Sequence, residues 1–362
     1  MPPHSRLWLH GVLFAVLGPA LTGCSTDKTG SAHGGGAGLD VVYRCGSCEI
    51  ASTTPIQLGP TQLEGFVSAS RLVAFPNTGT LRLAWAPTDT RGTIGIYDHA
   101  SGRTGSIGRL GAGPGELQDL AAIGILPSVG FLALQGRSLV EIDLDGNAVA
   151  HHPLPARIAS VWLDITSTGK VVVSNHLSQG PEFAILGRND AGDFIPIGSG
   201  KVTGTGVFRA ITINDSDEVA VARLDMQWDV RILDARGDLL LAIPVPEWFV
   251  SASEAEYSEA IASGDMARLR FASAVVGVQW FGDRVLAVST RVGAPDAGTS
   301  DQAKASHGRL DLFDRVSDEA IVSLRFDSPV DLLSKSGWIA EATLDSSGFT
   351  HLELRRLSLN ID

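Results

Sequence analysis

Ile94-Gly95-Ile96-Tyr97-Asp98 is an apolar strand that ends in Asp at a turn, and the phrase returns along the chain at a nearly fixed interval. It reads Leu139-Val140-Glu141-Ile142-Asp143, then Phe183-Ala184-Ile185-Leu186 up to Asn189, then Val230-Arg231-Ile232-Leu233-Asp234, then Leu310-Asp311-Leu312-Phe313-Asp314. The first four anchors lie about 45 residues apart, the length of a four-stranded propeller blade. Each anchor sits in a unit that divides into short strands. Unit one begins at Arg71, unit two near Ala122, unit three near Val161, unit four at Phe208 and unit five at Val276. Unit six offers Val330 to Leu333, Trp338 to Ala342 and Thr350 to Leu357, and then lacks an outer strand. An unpaired strand edge exposes a row of backbone donors and acceptors. The segment from Cys48 to Leu58 is the spare candidate to cover it. The expected fold is therefore all-β: a six-bladed β-propeller over residues 41–362, its last blade completed by an N-terminal strand.

Composition agrees with this class. The 362 residues are 44% hydrophobic and 19% charged, and 41 Gly and 17 Pro break short β-branched runs. A formal net charge of −12 lacks the basic footprint that nucleic acid requires, so nucleic acid is not an expected partner.

The first 40 residues stand apart from the ring. Arg6 precedes an apolar stretch from Leu7 to Leu21 that is short for a bilayer span and reads as a signal peptide over residues 1–23. Leu21-Thr22-Gly23-Cys24 resembles the bacterial lipobox, which implies lipidation at Cys24. Ser25 after it resembles the outer-membrane sorting pattern. Residues 24–40 then form a Gly-rich linker that cannot bury enough apolar area to order itself. The expected location is extracytoplasmic, lipid-anchored to the cell envelope, with the outer membrane favoured.

Two inserts interrupt the later units. Asp234 to Asp314 is about 80 residues, well beyond one blade. Ser251 and Ser253 each have Glu three places on, the capping-box pattern, ahead of helix-forming residues up to about Arg270. Gly264 is expected to divide this segment into two short helices. Trp248, Phe249, Tyr257, Ile261, Met266 and Leu269 would dock it as a packing insert. Val292 to Ser306 is Gly/Ala/Ser/Asp-rich and reads as a loop.

Gly108-Arg109-Leu110-Gly111-Ala112-Gly113-Pro114-Gly115-Glu116-Leu117 carries a family resemblance. It resembles the G-x-G-P-G-E-[FL] phrase of bacterial six-bladed propeller lipoproteins related to NHL-repeat and TolB-like proteins. In that family the phrase joins the outer strand of one blade to the inner strand of the next. The phrase occurs once here. A phosphate-loop reading fails, because Glu116 stands where a third Gly is needed and a strand follows rather than a helix. Glu116 is instead expected to cap local backbone N–H groups.

Few residues suggest chemistry. Asp98, Asp143, Asp234 and Asp314 are read as acceptors for their own turns, since one per blade places them on a wide circle. Cys45-Gly46-Ser47-Cys48 is read first as a structural disulfide, with free thiols, an intermolecular bond or a redox pair as alternatives. His151-His152 point to opposite faces of a strand and are read as an exposed outer pair. Trp85, Trp162, Trp228, Trp280 and Trp338 recur about once per blade, as expected for inter-blade packing. No catalytic, cofactor-binding or metal residue and no cofactor is assigned. The expected function is a binding scaffold for an envelope protein, peptide or glycan. The alternatives are a propeller hydrolase or lyase using Asp164, His176 and Asp225 around a central metal, and a thiol-redox accessory.

Overall fold

The computed structural model describes residues 39–361, apart from 46–47, 64–70, 76–80, 87–91, 112–115, 119, 127–128, 157, 159, 161, 176–179, 202–208, 224–225, 266–268, 270, 294–306 and 347–348. Six antiparallel sheets follow one another as the blades of a ring. Blade one runs from Arg71–Ala74 to Arg103–Ile107, blade two from Leu120–Leu126 to Ala148–Pro153, and blade three from Leu163–Ile165 to Phe194–Gly200. Blade four runs from Arg209–Ile213 to Leu239–Ala242, blade five from Ala274–Phe281 to Glu319–Phe326, and blade six from Val330–Leu332 to Thr350–Ile361. Among the described residues, no helix is long and apolar enough to cross a membrane.

The burial pattern explains why the middle strands read as continuous apolar runs. Both faces of a blade are covered by its neighbours, so Phe131, Leu132, Ala133 and Leu134 are all fully buried. Outer strands touch solvent and alternate instead, as in Ala148–Pro153. Six apolar clusters follow, each built from two adjacent blades. The one between blades four and five holds Trp228, Trp280 and Phe313. The one between blades six and one holds Leu352, Leu354, Leu83 and Trp85.

Ring closure uses the N-terminal segment. Cys48–Ser52 pairs antiparallel with the last strand, from Cys48 opposite Ile361 to Ser52 opposite Leu357. Ile56–Leu58 pairs further along the same strand, with Leu58 opposite Leu352. Thr53 and Arg356 join the two pieces by a backbone bond of 3.0 Å. Leu58 is then buried in the cluster between blades six and one. The last strand runs to Ile361, beyond the expected Leu357, because this partner keeps its backbone satisfied.

Val41-Val42-Tyr43 reads as a strand in the sequence, but its partner was not anticipated. Asp40–Arg44 pairs with Glu319–Phe326 and gives blade five a fifth strand. Blade five already had its four strands, so no deficit in the sequence pointed to this pairing. Cys45 extends it, its N–H donating to Ile321 O at 2.8 Å. The chain then crosses from the rim of blade five to the rim of blade six at Cys45–Cys48.

The insert after blade four holds one helix, Glu254–Ser263. Ser253 and Glu256 form the capping box: Ser253 N–H donates to Glu256 Oε2 at 2.8 Å, and Glu256 N–H donates to Ser253 Oγ at 3.2 Å. Gly264 follows the helix in the left-handed region, at φ 69°. The described residues beyond it contain no second α-helix; Met266 lies outside them. Ala252, Ala260, Leu269 and Ala272 pack together with Tyr257 and Met226. Trp248 meets Trp228 edge-on at 6.4 Å, and the Arg309 guanidinium lies 4.3 Å from its ring centre. The Val292 to Ser306 loop falls almost wholly outside the described residues.

Candidate functional site

The innermost strands of all six blades surround a cavity of about 850 Å³, within the range of small-molecule sites. Its wall is mostly apolar: Leu72 and Val73 from blade one, Ile123 and Ile125 from blade two, Trp162 and Leu163 from blade three, Ile211 from blade four, Val276 and Val278 from blade five, and Leu332 from blade six. Blades two and three approach closely at Gly124, where a Cβ would fall 2.7 Å from the Leu163 side chain and 2.8 Å from that of Ile165.

One end of the cavity is polar. It is built by the turns between the first and second strands of blades three to six. Lys335, on the turn of blade six, donates from Nζ to the carbonyl of Ile165 at 2.7 Å and to that of Ile213. Its ammonium also lies 3.4 Å from Asp164 Oδ2. A blade-six side chain thus ends on acceptors from blades three and four. Asp164 is held in turn by Thr212 Oγ1 at 2.7 Å and the Ile213 N–H at 3.0 Å. Asp215 accepts from the Ser167 N–H at 2.8 Å and from the Ser167 hydroxyl. Burial alone would raise the Asp215 carboxyl, but the two Ser167 bonds and the nearby Lys335 and Lys170 outweigh it and hold it below its ordinary value. The Asp215 N–H donates to Asp283 Oδ1 at 2.8 Å, and Gly282 N–H donates to Lys335 O at 2.9 Å. Backbone and side-chain bonds therefore connect blades three, four, five and six around this end.

The residues singled out from sequence fall elsewhere. Cys24 lies outside the described residues. Cys45 and Cys48 are joined as a disulfide with Cα atoms 5.4 Å apart, at the rim crossing between blades five and six. Asp143 accepts from the N–H groups of Asp145 and Asn147, at 3.0 and 2.8 Å. Asp234 does the same with Arg236 and Asp238, at 2.8 and 2.9 Å, and Asn189 with Ala191 and Asp193. Turn N–H groups hold the Asp98, Asp143 and Asp234 carboxyls below their ordinary values. The repeated anchor is a turn device. Of the three residues considered for a central metal, Asp164 lines the cavity but is engaged as described; His176 and Asp225 lie outside the described residues. Among the described residues, no group of three or more His, Cys, Asp or Glu side chains is placed to hold a metal ion.

One expectation needs correction. His151 is exposed, but His152 is buried between blades two and three. Its Nε2 lies 2.5 Å from Glu141 Oε1, its ring meets Phe194 edge-on at 5.1 Å, and Arg188 pairs with the same Glu141 oxygen at 2.8 Å. Sequence alternation separated the two faces correctly, but the covering blade decided which face was dry. The tryptophans pack between blades as expected: Trp85, Trp228 and Trp280 are buried there, Trp162 and Trp338 pack against inter-blade clusters, and Trp162 also lines the cavity. Glu116 also pairs with Arg109 at 2.8 Å, while residues 112–115 of the same phrase lie outside the described residues. The phrase around it does link blades one and two: Leu117 is buried between them and bonds back to Arg109 O at 2.8 Å.

Lys335, Asp215 and Asp283 were not legible as a group. They are polar turn residues of the commonest kind, brought together only by the ring.

No protein-family profile and no curated protein sequence matches the chain. Among solved structures it is similar to the WD40 domain of Pan2 from Neurospora crassa, at 10% identity and a TM-score of 0.44, over 83% of this chain and 93% of that one. It is also similar to a protein of unknown function from Bacteroides caccae, at 12% identity and a TM-score of 0.43, over 77% and 85% respectively. With its six sheets ordered around one axis, the chain is a six-bladed β-propeller.

Proposed function

We propose that this chain is a membrane-tethered, extracytoplasmic propeller that acts as a binding scaffold for a protein, peptide or envelope ligand. The proposal includes kinship with the NHL-repeat and TolB-like lipoproteins. The observation that carries it is the order of features at the N-terminus. Leu21-Thr22-Gly23-Cys24 is followed by a Gly-rich stretch, and the first strand after it, Asp40–Arg44, joins the outer edge of blade five. A tether arriving at the rim would leave both open faces of the ring available to a partner. The Cys45–Cys48 disulfide fits an oxidising compartment. Acyl chains on Cys24 would supply anchoring in place of a spanning segment.

The test is fractionation of bacteria expressing the full chain or Cys24→Ala, with radiolabelled palmitate. The wild-type chain should carry label and sediment with membranes, while the variant should lose both. Equal sedimentation without label in either form overturns the tethered reading. Immobilised ring incubated with solubilised envelope then tests the scaffold. Retention of one saturable species, lost on unfolding the ring, supports it, and no saturable retention removes it.

A further inference from the structure

We infer that the polar end of the central cavity is a binding site for a primary ammonium group, and that the chain's own Lys335 occupies it in cis. The Lys335 ammonium faces three acceptor groups: it donates to Ile165 O at 2.7 Å and to Ile213 O, and it forms an ion pair with Asp164 Oδ2 at 3.4 Å. All three acceptors belong to blades three and four, whereas the cation comes from blade six. The cradle does not need Lys335 for its shape. The Asp164 carboxylate is fixed by Thr212 and the Ile213 N–H, and the neighbouring Asp215 carboxylate is fixed by Ser167. Two main-chain carbonyls on strand ends cannot swing away. The site is therefore preorganised for the group it holds.

The ligand class follows from what lies beside it. The apolar wall of the cavity leads away from the cradle and would receive a short hydrocarbon tail. A primary alkylammonium, head in the cradle and tail along the axis, satisfies both parts. A quaternary ammonium has no N–H to offer the carbonyls, and a carboxylate would meet Asp164 and Asp215. In the native chain such a ligand must displace a tethered competitor whose effective concentration is on the order of millimolar. The cradle is thus masked until Lys335 withdraws. This inference deepens the reading of the ring as a binding scaffold but does not depend on the lipid anchor, so it stands or falls separately from the Cys24 test.

The experiment is thermal unfolding of the full ring with Lys335→Ala, titrated with n-propylammonium chloride. Tetramethylammonium chloride and sodium chloride at equal ionic strength are the controls. The variant should melt below wild type. Propylammonium should recover at least half of that loss, saturably, and the controls should do no more than they do for wild type. Adding Asp164→Asn to the variant should weaken the recovery. Propylammonium acting no better than tetramethylammonium, or raising wild type equally, overturns the inference. A measurement on wild type covers the case in which the variant does not fold. Acetylation followed by mass spectrometry should modify Lys335 about tenfold more slowly than exposed Lys201, because reaction at an ammonium held by two carbonyls and a carboxylate needs local opening. Equal rates would overturn it as well.

Discussion

Leu58→Ala tests whether the N-terminal segment closes the ring. Leu58 is 1% exposed and sits opposite Leu352, in a cluster with Leu72, Leu83 and Trp85 of blade one and Leu333 and Leu354 of blade six. Truncating it removes buried methyl groups and leaves a cavity between blades six and one. Large-to-small changes of this kind cost about 2–5 kcal/mol, and a site walled by strands on both sides relaxes little, so a loss of about 3 kcal/mol is expected. Leu352→Ala should cost a similar amount. The double variant should fall short of the sum by about 1 kcal/mol, since both residues share one packing contact. Urea unfolding followed by tryptophan fluorescence reads this directly, because Trp85 is fully buried in the same cluster. Val316→Ala is the control: Val316 is 76% exposed, so its loss should stay within about 0.5 kcal/mol. If Leu58→Ala matches Val316→Ala, or if the Leu58 and Leu352 effects add fully, the N-terminal strand does not close the ring.

Other expectations follow from local geometry. Arg284 bonds both Asp314 oxygens, at 2.6 and 2.9 Å, and against the effect of burial it holds this carboxyl down to about 2. A folded value below the unfolded one means the stabilisation is present above about pH 4 and is lost as pH falls through about 2. Arg284→Met should therefore move the midpoint of acid unfolding to higher pH; an unchanged midpoint rules this pairing out as a stabilising contact. Gly92 has φ 97°, and a Cβ there would lie 2.3 Å from Leu117 O. Gly92→Ala should thus destabilise the crossing from blade one to blade two by more than 1 kcal/mol, roughly the scale of a strained φ alone. A melting temperature equal to wild type would contradict it. His152→Ala leaves Glu141 buried with Arg188 as its remaining ion-pair partner, and should cost about 3 kcal/mol in urea unfolding, whereas His151→Ala at the exposed neighbour should be near neutral.

The blades were legible because a blade is a local object. Strands such as Gly130–Gln135 and Ser138–Asp143 are adjacent in sequence, and their apolar runs and turn residues are set within a dozen positions. The Asp143-to-Asn147 turn is as local as the strands it joins, so its carboxylate role could be read directly. Closure was legible by deficit: a last unit with too few strands needs a partner, and Cys48 to Leu58 was the segment left over. The capping box at Ser253 and Glu256 was visible for the same reason as the turns, since its two bonds span three residues.

Other pairings and contacts had no signal in the linear chain. Asp40–Arg44 covers an edge of blade five that was already complete, a choice made by where the chain enters the rim. His152 looks like its neighbour His151 until blade three lies over it. Lys335 stands 170 positions from the carbonyl of Ile165 that it binds. Periodicity and turn chemistry act over a few residues, so they are written into the sequence. Contacts across the axis depend on how many blades surround it and how far each inner turn projects. The ring must close before Lys335, Asp164 and Asp215 become neighbours.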